Sequence, residues 1–169
     1  MDITVTNRSN DAVYGCYGAN AYHMSVLQEY LAARIGVEVG TYTQFSNNLH
    51  MYEWSADRAN HTAALDSRYD ISESGYPGVR PLVDHPESFD EELRFFLENP
   101  LESAARLKNS HFSAVAQPML LANLARKDRA WPKAMEHAES IQAPDLRRAT
   151  VEWLRRRETA SADKRETRE

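Results

Sequence analysis

Residues 8–52 read RSNDAVYGCYGANAYHMSVLQEYLAARIGVEVGTYTQFSNNLHMY, and this stretch decides the fold. Its middle part, residues 20–35, carries apolar side chains on two faces at i, i+3 and i+4 spacing, which predicts a helix. A helix that is apolar on two faces is a core element, so we expect this central helix to be buried. Gly36 directly follows the last apolar position and predicts the end of the helix there.

Extended segments flank the predicted helix on both sides. Residues 2–7 alternate apolar and polar side chains with β-branched types, which indicates a strand, and residues 37–45 alternate in the same way. Residues 49–52 form a third, shorter extended segment after Asn47 and Asn48, which favour a turn or bulge. The pattern predicts an α+β fold, a partial sheet packed on one central helix.

Polar side chains suited to ligand binding lie at both ends of the predicted helix. They are Arg8, Ser9 and Asp11 before it, Asn20 at its first residue, and His50 and Tyr52 after it. A guanidinium fork beside a hydroxyl suits a phosphate, because both donate to its oxygens. An asparagine offers a donor beside an acceptor, which matches the C=O and N–H edge of a uracil-type ring. A histidine and a tyrosine two residues apart on an extended segment point the same way and can share one hydroxyl.

This spacing resembles the thymidylate synthase and deoxycytidylate hydroxymethylase family. The family's motif runs from Arg-Ser-x-Asp through a glycine-containing turn, an asparagine at a helix start, an alanine-rich helix end and a glycine to His-x-Tyr. The matching positions are Arg8, Ser9, Asp11, Gly15, Asn20, Ala32, Gly40, His50 and Tyr52. One residue is inserted in the turn GCYGAN, and the resemblance covers about the first 55 to 65 residues.

The resemblance implies a site for a pyrimidine deoxynucleotide monophosphate, specifically deoxyuridine monophosphate (dUMP). Arg8 and Ser9 would hold the phosphate, and Asn20 would read the base edge. His50 and Tyr52 would bind the 3′-hydroxyl. Asp11 would lie near the reacting ring and the folate as a catalytic residue. In the family a cysteine adds to C6 of the base and methylene-tetrahydrofolate delivers one carbon to C5, which in thymidylate synthase gives the methylated nucleotide of dTMP biosynthesis.

The resemblance also shows a difference from the family. The family's nucleophilic cysteine lies upstream of the Arg-Ser-x-Asp motif, and the single cysteine here, Cys16, lies after it and matches no family nucleophile. We therefore expect the chain to carry one half of the pocket. Methyltransferase activity is expected only with an upstream nucleophile-bearing segment or a complementing synthase-like chain. Because the family forms dimers, a homo-oligomer is the other expected partner.

Other interpretations of the same residues stay open. Arg8 and Asp11 would also fit a surface ion pair, and Asn20 would also fit a simple helix cap. His50 and Tyr52 would also fit packing positions of a half-buried strand. At the level of function, the alternatives are a non-catalytic nucleotide-binding or regulatory module, or a degenerate remnant of the enzyme.

Composition narrows the class of protein. A net charge of −5 argues against nucleic-acid binding, and one cysteine excludes an internal disulfide and a multi-cysteine zinc site. The six histidines are scattered, so no metal site is predicted. The sequence has no long apolar run and no signal peptide, which predicts a cytoplasmic protein without a membrane partner.

The second half of the chain reads as a helical extension. We predict a nucleotide-binding segment over 1–100, helices over 101–158 with breaks near the prolines, and a disordered tail over 159–169. Residues 53–69 are predicted as a surface helix and 70–87 as a loop. Ser88 with Glu91 predicts a capping box at the start of the next helix.

Overall fold

The computed structural model describes residues 1–56 and 80–166, with residues 162–166 as backbone only. The chain divides into two compact units, Met1–Gly78 and Val79–Glu169. In the described residues, the first contains short parallel strands joined by a crossover helix, and the second is helical. The predicted α+β class is confirmed.

The first unit is built on a β–α–β connection. Its elements are β1 (Ile3–Asn7), β2 (Asn10–Asp11), a wide helical turn (Ala12–Ala19), α1 (Asn20–Ile35), β3 (Tyr42–Ser46) and β4 (Leu49–His50). β1 pairs with β3 and β2 with β4, both in parallel. Backbone hydrogen bonds of 2.9 Å from Asn47 to Asn7 and from Asn10 to Asn48 join the two ladders. Parallel strands need a crossover connection, and α1 provides it between β1 and β3.

The bounds of α1 are those that the sequence predicts. The helix begins at Asn20 and ends at Ile35. Gly36 follows in the left-handed conformation with φ 78°, and its N–H donates to the carbonyls of Ala32 and Ala33. Glycine adopts this conformation without the steric cost that a Cβ would add.

The prediction that α1 is buried is wrong for most of its surface. Its buried residues are Gln28 and Ala32, whereas Tyr22 is 60% and Ile35 is 64% exposed. Two strands make too narrow a sheet to cover two faces of a helix, so one apolar face stays accessible to solvent.

A buried glutamine joins α1 to the beginnings of β1 and β3. The side-chain amide of Gln28 donates to the carbonyl of Met1 at 2.8 Å and to that of Gly40 at 3.2 Å. A buried amide is costly unless it is paired, and these strand-end carbonyls pair it. The contact fixes the middle of the helix at the beginnings of the strands, so the first residues of α1 lie toward the opposite end of the strands.

Within residues 80–166, the second unit contains four α-helices. They are α2 (Phe89–Glu98), α3 (Gln117–Lys127), α4 (Trp131–Glu139) and α5 (Pro144–Glu166), with a short turn at Ala104–Arg106 and a wide turn at Phe112–Ala116 that leads into α3. Pro118 and Pro132 lie in the first turns of α3 and α4, and Pro144 begins α5. The predicted breaks are therefore helix starts, where proline lacks only an N–H that the helix would leave unpaired.

Small side chains dominate the core of this unit. Ala122, Ala134 and Ala138 are fully buried and Leu154 is 1% exposed, and Trp131 is among the larger side chains packed around them. Alanines let α3, α4 and α5 approach closely, and the tryptophan fills the space at the edge.

The capping box predicted at Ser88 and Glu91 is wrong. The Ser88 hydroxyl donates instead to Glu92 Oε1 at 2.7 Å, and Glu92 Oε2 accepts from the backbone N–H of Asn109 at 2.9 Å and from its side-chain amide at 3.0 Å. Ser88 bonds to Glu92 and not to Glu91 because Glu92 faces the interior, where Asn109 is fully buried. The network ties α2 to the rest of the second compact unit, which contains residues 80–100.

Two further expectations differ from the structure or lie partly outside it. α5 continues to Glu166, through most of the tail predicted to be disordered, because alanine, glutamate, lysine and arginine favour helix even without apolar contacts. Residues 53–56 are helical as predicted, whereas 57–69 of that helix and 70–79 of the predicted loop lie outside the described residues. No helix within the described ranges is long and apolar enough to cross a membrane.

Candidate functional site

The predicted ligand-binding residues follow the carboxyl ends of two neighbouring parallel strands. Ser9 and Asp11 come after β1, and His50 comes after β3. Asp11 and His50 are direct partners in the β2–β4 ladder. The N-terminal turn of α1 lies between these strands in sequence, and Asn20 is its first residue. Ligands of open parallel sheets bind at this end of the strands, and helix N-termini attract anions.

Ser9 and His50 meet although 41 residues separate them. The Ser9 hydroxyl lies 3.3 Å from His50 Nδ1. With the hydroxyl donating to Nδ1, the ring proton is on Nε2, which is then a donor for a ligand. The structure therefore brings together one residue from each end of the motif.

Tyr52 extends the site beyond His50. Its ring meets the His50 ring edge to face, with centroids 5.1 Å apart and an interplanar angle of 82°. Tyr52 is 52% exposed, so its side chain is open to a ligand. The expectation that these two side chains lie on one side of the segment agrees with this contact, and their role toward a hydroxyl stays a prediction.

Asn20 is held by an asparagine that the family motif does not include. Asn20 Nδ2 donates to Asn10 Oδ1 at 2.9 Å, and Asn10 Nδ2 donates to Ser46 Oγ at 3.2 Å. Asn10 is 2% exposed, so this pair is fixed. The bond uses one hydrogen of the Asn20 amide and leaves the second hydrogen and the carbonyl oxygen for a ligand. The only signal for Asn10 in the sequence is its place between Ser9 and Asp11.

Gly15 makes room for this asparagine pair. A Cβ at Gly15 would lie 1.9 Å from Asn10 Oδ1 and 3.1 Å from Asn20 Nδ2. Such distances are shorter than van der Waals contact, so the turn needs glycine at this position for close approach. The conformation of the turn and the position of the Asn20 side chain therefore depend on each other.

Asp11 caps the turn that follows it. Its Oδ1 accepts from the backbone N–H of Tyr14 at 2.6 Å. Its Oδ2 is buried and has no hydrogen-bond partner among the described residues. Arg8 is exposed, and within the ranges that the structure describes no ion pair joins it to Asp11. The surface ion pair considered as an alternative is therefore not formed.

Cys16 lies in the turn beside the polar side chains of β3. The Tyr42 hydroxyl donates to Gln44 Oε1 at 2.6 Å, and Gln44 Nε2 donates to the Cys16 carbonyl at 3.4 Å. Burial, and after it the charge of Cys16, raises the pKa of Tyr42 above its ordinary value. These contacts connect the turn to the sheet. In the described parts of the chain, no three metal-binding side chains cluster.

Similarity to known proteins supports the family resemblance that was inferred from the motif. The chain is 38% identical over 172 residues to a deoxyuridylate hydroxymethyltransferase of Pseudomonas phage M6, a match that covers 95% of this chain and 48% of that protein. A deoxyuridylate hydroxymethyltransferase of Bacillus phage SP01 is 46% identical over 52 residues, which is 31% of this chain and 14% of that protein. A protein named putative thymidylate synthase from Methanosarcina acetivorans is 44% identical over 57 residues, covering 34% of this chain and 26% of that protein.

These matches differ in extent. The two shorter ones are about as long as the segment on which the resemblance was based, whereas the phage M6 match takes in most of the chain, including the helical unit. This chain spans about half the length of the phage M6 relative and less of the other two. No family model matches the chain, and no solved structure shows a significant match. The motif and these relatives together support a thymidylate-synthase-like family for this chain.

Proposed function

We propose that this chain forms the nucleotide-binding part of an enzyme that transfers a one-carbon unit to C5 of deoxyuridine monophosphate. The observation that carries the proposal is the 3.3 Å contact between Ser9 and His50, which joins the two halves of the motif at one end of a parallel sheet. Two relatives are named deoxyuridylate hydroxymethyltransferases, and this favours a hydroxymethyl product over a methyl product.

The described side chains suit each part of dUMP. Arg8 is exposed and available to the phosphate together with Ser9. Asn20 offers an acceptor and one remaining N–H to the uracil edge. His50 and Tyr52 offer the 3′-hydroxyl a donor and a phenol side by side.

Asp11 fits the folate that the family uses. Its Oδ2 is a buried acceptor that has no partner in the described part of the chain, so it suits an N–H of the folate ring. Methylene-tetrahydrofolate would supply the one-carbon unit there. Asp11 itself would orient that ring while its other oxygen keeps the Tyr14 N–H.

The nucleophile would come from a segment that complements this chain. About half of the phage M6 relative has no counterpart in the match. Covalent addition of a cysteine to C6 divides a difficult substitution at C5 into easier steps, so the site needs a thiolate above the ring that Asn20 orients. We place that thiolate on an upstream segment of a longer gene product or on a complementing synthase-like chain. A homo-oligomer is the other proposed assembly.

The test combines binding with complementation. Titration of the purified chain with dUMP, followed by NMR, is expected to show binding that Arg8→Ala weakens and that Arg34→Ala, which removes the same charge near the other end of α1, leaves unchanged. With methylene-tetrahydrofolate, the chain alone is expected to give no product. Addition of the unmatched half of the phage M6 relative is expected to give 5-hydroxymethyl-dUMP.

Each other outcome has a definite meaning. Turnover by the chain alone would refute the need for a complementing segment. Binding with no turnover in either mixture would favour the non-catalytic module, and absence of dUMP binding would refute nucleotide recognition. Titrations with dCMP and dTMP serve as controls for the base.

A further inference from the structure

Trp54 lies in an aromatic row beside the candidate site. Its ring stacks on Tyr52 with centroids 5.8 Å apart and an interplanar angle of 14°, and it contacts Tyr14 at 5.3 Å. The Tyr52 ring in turn meets His50 edge to face. Nothing in the sequence pattern marks Trp54 as a residue of the binding site.

Together with the pairing of β2 and β4, these ring contacts form a closed circuit of interactions around the candidate site. The backbone of Tyr14 is fixed by Asp11, and Asp11 is the strand partner of His50. From His50 the circuit passes through Tyr52 and Trp54 back to Tyr14. The aromatic row therefore connects the beginning of the motif to its end by a second route, independent of the strand ladder.

Tyr52 is the member of the circuit that most needs support. It lies after the end of β4 and is 52% exposed, so the backbone ladder does not fix its side chain. Its contacts with the stacked Trp54 ring and with the near-perpendicular His50 ring restrict its rotation. Offset stacking and edge-to-face contact are favourable aromatic geometries.

We propose that Trp54 is a positioning residue for recognition of the 3′-hydroxyl of the nucleotide. It holds the Tyr52 phenol, and through it the His50 imidazole, where both reach one hydroxyl group. Trp54 does not itself contact that hydroxyl. The inference rests on the proposed binding of dUMP and adds a residue that the family motif does not contain.

The experiment compares two nucleotides that differ only at the 3′ position. The chain is titrated with dUMP and with 2′,3′-dideoxyuridine monophosphate, and NMR shifts report both affinities. The wild type is expected to prefer dUMP. Trp54→Leu, which keeps apolar bulk without a flat ring, is expected to weaken dUMP binding about threefold to tenfold and to leave dideoxynucleotide binding unchanged. Trp54→Phe is expected to keep the preference.

The controls separate this inference from the proposed function. Trp131→Phe, in the second unit, is expected to change neither affinity, and the folded state of each variant is checked from its amide spectrum. If Trp54→Leu keeps the full preference of the wild type, the positioning role is refuted while nucleotide binding stands. A wild type that binds both nucleotides equally overturns the inference while dUMP binding stands, and a wild type that binds neither overturns the proposed function as well.

Discussion

Gly15→Ala tests how the turn and the first residue of α1 depend on each other. The added Cβ would lie 1.9 Å from Asn10 Oδ1, and Asn10 is 2% exposed, so its side chain cannot move into solvent without opening the turn. Relief of the clash therefore requires the Asn10 amide to leave its present partners. Those partners are Asn20 at 2.9 Å and Ser46 at 3.2 Å.

The size of the effect follows from the two hydrogen bonds. Each contributes about 0.5–1.5 kcal/mol to stability, so loss of both destabilises the first unit by about 1–3 kcal/mol. The same movement releases Asn20 from the orientation in which it is proposed to face the base. Because about 1.4 kcal/mol corresponds to a tenfold change in affinity, we expect dUMP binding to weaken by about tenfold.

Urea unfolding and NMR titration with dUMP measure the two effects. Gly36→Ala is the matched control, since Gly36 has φ 78° and an added Cβ there would meet no atom within 4 Å. It is expected to cost about 1 kcal/mol of stability through its backbone and to leave dUMP affinity unchanged. In a background of Asn10→Ala, which removes the clashing oxygen, Gly15→Ala should add little further cost. Full additivity of the two substitutions would refute the steric explanation.

Three other predictions concern the base, the second unit and pH. Asn20→Asp is expected to shift preference in the NMR titration from dUMP toward dCMP, because a carboxylate accepts from the cytosine amino group and repels the uracil carbonyl; unchanged preference would contradict base contact. Leu154→Ala, at a position 1% exposed, is expected to destabilise the second unit by about 2–5 kcal/mol in urea unfolding without changing dUMP affinity. Burial raises the pKa of Glu92, but the hydrogen bonds from Ser88 and Asn109 outweigh it and hold that pKa below its usual range. The folded-state pKa is the lower one, so this stabilisation is complete above the ordinary glutamate pKa and is lost as pH falls through the folded value; Glu92→Gln should flatten that acid limb of the stability curve.

The elements predicted well from sequence are those that local signals specify. Gly36 ends α1 because a glycine suits the left-handed residue after a helix. Asn20 is the first residue of α1, but its side chain bonds to Asn10 and does not cap the helix. The β-branched alternation of residues 2–7 locates β1 within one residue. The grouping of Ser9 with His50 also followed from sequence, although it came from the family motif rather than from periodicity.

What the sequence did not predict depends on contacts between distant residues. Nothing local distinguishes Glu92 from Glu91 as the partner of Ser88, because the choice depends on where Asn109 lies. The Asn10–Asn20 pair likewise exists only after β2 and α1 are brought together. The burial of α1 was overestimated for a related reason. An apolar helix face indicates that burial of that face is favourable, but it does not indicate which segment of the chain would cover it.

Recognition and reaction have different structural requirements in this chain. Two parallel strands and the helix between them bring residues from both ends of a short segment to one edge, so all the residues proposed to bind the phosphate, the base and the hydroxyl lie within residues 8–52. The proposed chemistry at C5 needs a thiolate and a folate at the faces of the pyrimidine ring. Side chains at the strand ends, which are proposed to bind the edges of that ring, do not supply them. A segment that binds the nucleotide is therefore expected to lose turnover, but not affinity, when its complement is removed.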